Sequence, residues 1–221
     1  MPCGRILLFA NGDCKDLNFY RQLHRSGDRI ISVDGGSRYV AALGLKPFAV
    51  VGDADSIDPQ LREKMERSTR RWIRNPAVDQ EQSDLEMALR YALSLQPSEL
   101  IICGALGGAR VDHTLINLHL LALPLRAGVP AAIIDEHQTL RLLDRELALT
   151  GEAGDYLSLL SLTPETTGVT TEGLKYPLHG ETLYFASTRG LSNELSSGSA
   201  RITAAEGLLL VIHTTSSSDI R

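Results

Sequence analysis

The chain has 221 residues, a net charge of −5 and a pI near 5.7. That acidic balance argues against a surface for nucleic acid or anionic membrane, both of which want a basic face. With 43% hydrophobic and 22% charged residues, the composition is that of a globular chain long enough to bury a sizeable core without staples.

Cys3, Cys14 and Cys103 lie far apart and form no Cys-x-x-Cys. They read as free thiols of a reducing compartment, so a cytoplasmic location is expected. The early apolar run at 6–10 is too short for a signal-peptide core. No run approaches the ~18 residues of a membrane span.

Residues 5–10 read as a first strand, and Asn11-Gly12-Asp13 as the turn after it. A helix is expected over 15–25, stopped by Gly27. A second strand, 29–33, ends in Asp34-Gly35-Gly36, with Ser37 as the cap of a helix reaching about Leu43. A third strand over 48–51 runs into Gly52-Asp53-Ala54-Asp55-Ser56. In extended chain, positions i and i+2 point the same way, so Asp53 and Asp55 project together. Paired carboxylates repel unless a cation or a proton sits between them. A hard, oxygen-loving ion such as Mg²⁺ is the natural partner. Alone, the stretch reads first as a polar turn with solvated carboxylates, and the rest of the chain shifts that balance.

Asp58 and Pro59 supply an N-cap and a first helical residue. The six Lys and Arg residues of 61–74 read as a solvated helix face, and Trp72 as packing on a short strand. After Asn75-Pro76, the segment from Asp79 and Gln80 to Asp84 leads into a helix with Leu85, Ala88, Leu89 and Ala92 on its apolar face. Ser83 and Glu86 have capping-box spacing, which puts Asp84 in the first turn. A strand over 99–103 precedes a glycine-rich segment from Gly104 through Gly107, Gly108, Arg110, Asp112 and His113 to Thr114. A Leu-rich helix is expected from there to about Leu125. Glycine N–H groups at a helix start make an anion site. Neither the G-x-G-x-x-G nor the Walker A spacing is present.

Alternation of strand and helix up to about 134 predicts an α/β domain with a mostly parallel sheet. Beyond it, strand-like runs at 139–143, 156–162, 168–172, 181–187, 198–204 and 208–214 are punctuated by Gly and Pro. They predict an all-β sandwich, jelly-roll-like. The expected domains are 1–133 and 134–221. Ligands of open α/β sheets bind outside the carboxyl ends of the strands. Here those ends supply carboxylates for Mg²⁺ and glycine backbone plus Arg110 for phosphate oxygens, the parts that nucleotide-dependent phosphoryl-type transfer needs.

The motifs Asp34-Gly35-Gly36, Gly52 to Ser56, Asp79 to Asp84 and Gly104 to Asn117, with Gly173 to Leu178 and Leu191 to Glu194, resemble those of thiamine pyrophosphokinases, in the family's order and over about residues 10–212. The resemblance implies transfer of the pyrophosphoryl group of ATP to the hydroxyl of thiamine, giving thiamine diphosphate and AMP. It implies a nucleotide-binding catalytic domain, a thiamine-binding and dimerisation domain, and a homodimer with active sites between subunits. By the same resemblance, Asp34, Asp53, Asp55 and Asp84 are catalytic, with Asp53, Asp55 and Asp84 on Mg²⁺. Gly35, Gly36, Ser56, Gln80, Gly108, Arg110, Asp112, His113, Thr114 and Asn117 line the nucleotide site. Tyr176, Ser192 and Asn193 contact thiamine, the last two from the partner subunit. Met87 stands where the family often has Lys, and Ala109 is an added residue in the glycine segment.

Two other readings fit the residues less fully. One is a glycosyltransferase holding a metal–nucleotide-sugar complex through Asp53 and Asp55. The other is a nucleotide-binding assembly module without catalysis.

Overall fold

A computed structural model describes residues 3–53, 57–74 and 82–216. The chain divides into two compact units, Met1–Glu136 and His137–Arg221.

In the first unit the described elements are β1 (Ile6–Phe9), α1 (Leu17–Leu23), β2 (Arg29–Val33), α2 (Ser37–Ala42), β3 (Ala49–Val51), α3 (Pro59–Ser68), β4 (Trp72–Ile73), α4 (Asp84–Ser94), β5 (Leu100–Cys103), α5 (Val111–Leu120), α6 (Ala122–Arg126) and β6 (Ala131–Ile134). The strands lie in the order β6-β5-β1-β2-β3-β4, and every pairing is parallel. β1, β3 and β5 are buried along their whole length, as expected of strands covered on both faces. From β1 the chain builds outward through β2, β3 and β4, then returns to the other side of β1 with β5. The sheet therefore has a topological switch point between β1 and β5, where such sheets hold ligands.

The helix starts follow local chemistry. Asp58 accepts from the N–H groups of Gln60 and Leu61, and Ser83 accepts from Glu86 N at 3.2 Å. The apolar face of α4 buries Leu85, Ala88, Leu89 and Ala92.

Three expectations need correction. Ser37 does not cap α2. Asp34–Gly36 forms a 3₁₀ turn before it, and the Ser37 hydroxyl turns inward to donate to Ser32 Oγ at 3.0 Å. The expected helix to Leu125 is two helices that meet at Leu121. Pro124 has no N–H to offer the carbonyl of Leu120, and its ring crowds that carbonyl. Helix α1 ends at Leu23, with His24 extended, short of Gly27.

Cys14 and Cys103 sit in the core around Phe9, Tyr20 and Ile101. Burial pushes the Cys14 thiol up to about 12 and raises that of Cys103 as well.

The second unit contains β7 (Gln138–Leu143), β8 (Glu146–Thr150), β9 (Tyr156–Ser161), β10 (Glu165–Glu172), β11 (Glu181–Tyr184), β12 (Asn193–Glu194), β13 (Ser199–Thr203) and β14 (Leu209–Thr214). They pair antiparallel in two sets, β12-β9-β14-β7 and β11-β10-β13-β8. Leu157, Leu159, Leu209 and Val211 of the first set share one apolar core with Val169, Leu183 and Ile202 of the second. Two strands escaped the sequence pattern. β8 turns mainly exposed residues outward around Leu149, and β12 is two residues long.

Candidate active site

At the switch point the ends of β1 and β5 are fastened together. Ala10 N donates to Cys103 O at 2.8 Å, Gly12 N to Gly104 O at 2.6 Å and Asp13 N to Leu106 O at 2.9 Å. Beside them opens a cavity of about 540 Å³. Asp34 and Asp84 line one part of its wall, and Gly108, Arg110, Asp112, His113, Thr114 and Asn117 line another.

The acidic wall comes from the end of β2 and the start of α4, with the end of β3 beside it. Asp34 sits directly after β2 with φ 47, an uncommon conformation for a residue with a side chain and one that clusters at functional sites. Its Oδ2 accepts from Asn11 Nδ2 at 3.3 Å. Asn11 is in turn bound through its side-chain oxygen by Arg38, whose guanidinium also donates to Asn11 O at 3.1 Å and Tyr39 Oη at 2.8 Å. Gly35 and Gly36 are buried and do not line the cavity. A Cβ on Gly36 would stand 2.8 Å from Ala10 O, so their visible role is to let the β2 turn lie against the end of β1.

Gly52 follows β3 at φ +105, and a Cβ there would stand 3.1 Å from the Asp84 carboxyl carbon. A glycine is thus required both for the backbone conformation and for the space. It brings the stretch leading to exposed Asp53 alongside Asp84, which the Ser83 cap places in the first turn of α4. Asp55, Ser56 and Gln80 lie outside the described residues.

The opposite wall is the glycine segment and the start of α5. Asn117 Nδ2 donates to Ala105 O at 2.8 Å, and Thr114 Oγ1 donates to Gly107 O at 3.2 Å. These bonds clasp the segment to the helix that follows. The N-caps Asp16, Asp58 and Ser83 of α1, α3 and α4 make side-chain capping bonds, whereas Arg110 at the start of α5 makes none. The first N–H groups of a helix without such a cap are suited to an anion. Arg110 forks onto Asp112, with Nη2···Oδ2 at 2.5 Å and Nε···Oδ1 at 3.2 Å. That guanidinium holds the Asp112 carboxyl below its usual range. His113 is exposed at the same rim. Ala109 lines the cavity and Met87 is half-buried on α4.

In the second unit, Asn193 and Tyr176 are brought together. Asn193 Oδ1 accepts from Tyr176 N at 3.1 Å, and its Nδ2 donates to Tyr176 O at 2.6 Å. The Tyr176 ring is 55% exposed. Ser192 adopts φ 55 and its N–H donates to Ser158 Oγ at 3.1 Å.

Sequence reasoning missed Asn11 and Gly12 as cavity residues and Arg38 as the group that fixes Asn11. The signal was available, because Asn11-Gly12 ends the first strand, on which the switch point turns.

Residues 20–133 match the family model for the thiamin pyrophosphokinase catalytic domain, and residues 143–209 match that for the thiamin pyrophosphokinase vitamin B1 binding domain. Thiamine pyrophosphokinase of Bacillus subtilis is 31% identical over 195 residues, covering 84% of this chain and 86% of that protein. The solved structure of thiamine pyrophosphokinase from Bacillus subtilis superposes with a TM-score of 0.86 at 28% identity, over 96% of this chain and 100% of that one. The corresponding structure from Geobacillus thermodenitrificans gives 0.83 at 26% identity, over 97% and 99%. With both family models matched in order and a full-length relative above 30% identity, the chain belongs to the thiamin pyrophosphokinase family.

Proposed function

We propose that the cavity between the β1 and β5 ends takes ATP, with its triphosphate between the Asp34–Asp84 wall and the start of α5. The activity itself follows from family membership: pyrophosphoryl transfer to thiamine, forming thiamine diphosphate. The observation that carries the placement is this meeting of a carboxylate wall and an uncapped helix start across one cavity.

The donor set is all oxygen, which suits a hard cation. Among the described residues no group of three His, Cys, Asp or Glu is close enough to hold a metal by itself. Mg²⁺ is usually bound by one or two carboxylates together with substrate phosphates and water. Asp53 and Asp84 would hold it, with Asp55 next in sequence. When bound there, Mg²⁺ supplies neutralisation of the charge that builds on the phosphate oxygens.

The protein's own part is positioning. Backbone N–H groups of Gly107, Gly108 and the first turn of α5, with Arg110 released from Asp112, take phosphate oxygens. Asn117 and Thr114 keep that loop in place, and Asn11 steadies Asp34. The hydroxyl oxygen of thiamine attacks the β-phosphorus. A new O–P bond forms as the bond from the β-phosphorus to the α-phosphate oxygen breaks, and AMP leaves. The hydroxyl proton passes to water or to a carboxylate of the acidic wall, because a loose transition state asks little of a base. Holding both substrates in line is worth up to about 7–11 kcal/mol in favourable cases.

The second unit supplies the thiamine side through Tyr176, Ser192 and Asn193, in keeping with its match to a vitamin B1 binding model. Its residues serve the partner's active site in a homodimer. Reduced, buried thiols suit a cytoplasmic protein, and among the described residues no helix is long and apolar enough to cross a membrane.

The deciding experiment incubates the protein with thiamine, ATP and Mg²⁺ and separates the products by chromatography. AMP and thiamine diphosphate are expected in equal amounts. ADP with thiamine monophosphate would overturn the pyrophosphoryl assignment.

A further inference from the structure

The chain has one tryptophan. Trp72 lies on the two-residue strand β4, half-buried, beside β3 in the register Val50↔Trp72. From there its indole N–H reaches across to donate to the carbonyl oxygen of Gly52 at 2.9 Å. Gly52 N donates to Ile73 O, also at 2.9 Å. Both backbone groups of Gly52 are therefore bound to β4. The outer face of the indole is covered by the Arg74 guanidinium, 5.0 Å from the ring centroid, and Arg74 is anchored by Glu66 at 3.0 Å.

Gly52 is the last residue before Asp53, and its φ of +105 leaves the following peptide without the steric restraint that a side chain would supply. The orientation of the Gly52–Asp53 peptide sets the direction in which Asp53 leaves the sheet. The Trp72 N–H binds that peptide at its carbonyl.

We infer that Trp72 is a positioning residue for the divalent cation: its indole N–H fixes the Gly52–Asp53 peptide so that Asp53 is set beside Asp84 before ligand arrives. The inference rests on the proposed role of Asp53 in holding Mg²⁺. It also makes Trp72 a built-in optical probe, because the ring is hydrogen-bonded to the peptide that carries the ligand residue.

The test uses Mg²⁺ with α,β-methylene-ATP, which cannot be cleaved at the bond the reaction breaks. Calorimetry on Trp72→Phe, which keeps an aromatic ring and removes the N–H, should show affinity for the Mg²⁺–analogue pair weakened about 3- to 10-fold, the scale of one neutral hydrogen bond. The KM for thiamine should stay unchanged. In the unsubstituted protein, Trp emission should change on titration with the same pair and reach half its amplitude at the calorimetric affinity.

Wild-type affinity in Trp72→Phe would overturn the inference. So would an equal loss toward thiamine and toward the Mg²⁺–analogue pair, the mark of a merely structural residue. If Trp72→Phe does not fold, the emission titration decides alone: a response supports the inference and a flat spectrum at saturation overturns it. Asp53→Asn separates the two levels. If it binds the pair normally, the metal assignment fails. If it loses binding while Trp72→Phe does not, only the positioning role fails.

Discussion

The two edges of the parallel sheet in the first unit treat charge in opposite ways. At the amino edge, Arg5 and Asp28 form a buried pair at 2.7 Å, with side chains 8% and 4% exposed. Arg5 also donates to Leu23 O, and Asp28 accepts from Arg25 N. The protein itself completes that group of contacts. At the carboxyl edge, Asp34 and Asp84 face a cavity, and Asp53 is exposed at the end of β3. The same residue type completes a closed pair at one edge and, at the other, faces the space in which we propose that ATP binds. The carboxyl ends of the strands are where open α/β sheets bind ligands, and the closed pair lies at the opposite ends.

Substitutions should separate the edges. The largest effect is expected at the closed one. Asp28→Ala strands Arg5 as a buried unpaired charge and should cost about 3–5 kcal/mol of stability, read by urea unfolding. Its kcat, measured where it is folded, should match the parent's. A fall in kcat without loss of stability would erase the contrast. Next comes Asp53→Asn at the open edge. Turnover should drop at least about 10²-fold, the scale of a lost electrostatic stabiliser, with the unfolding midpoint unmoved. Gly52→Ala should affect both properties. It forces a side chain into a left-handed backbone, at a cost of about 1–2 kcal/mol, and pushes on the Asp84 carboxylate. A lower melting temperature with weaker Mg²⁺ dependence is expected, and an unchanged melting temperature would deny the strain.

The smallest effect is one of pH. Burial pushes the Asp28 carboxyl up, but the Arg5 guanidinium and the Arg25 N–H outweigh it and leave the carboxyl below its ordinary value. A depressed carboxyl stabilises the fold above its unfolded value of about 3.9 and loses that contribution as pH falls through the folded value. Stability of the parent should therefore decline below about pH 4 more steeply than that of Asp28→Asn. Parallel curves would place the acid sensitivity elsewhere.

The sequence announced those features whose causes are local. Asp58-Pro59 and Ser83 with Glu86 set helix starts within a few residues, and the structure has them. The apolar runs of β1, β2 and β5 needed only a buried strand to explain them. Ser37 misled because a cap is judged from its own side chain, while its hydroxyl was claimed by Ser32 on the neighbouring strand. Arg110, expected on phosphate, forks onto Asp112 two residues along, a pairing that its place in the glycine segment did not announce. The bond from Trp72 to Gly52 depends on the register between two parallel strands twenty residues apart. No local pattern encodes such a register. Asp34, Asp84 and the α5 residues share a cavity because the strand order places their loops at one edge, and that order is a property of the whole unit.

The two deep sulfhydryls have a practical consequence. Cys14 and Cys103 are shielded by the same core that raises their thiols, and a protonated, enclosed sulfur is a poor nucleophile. An alkylating reagent then reaches them readily only when the surrounding core opens. The speed of their labelling becomes a clock for opening of the first unit, and ATP bound as proposed should slow that clock.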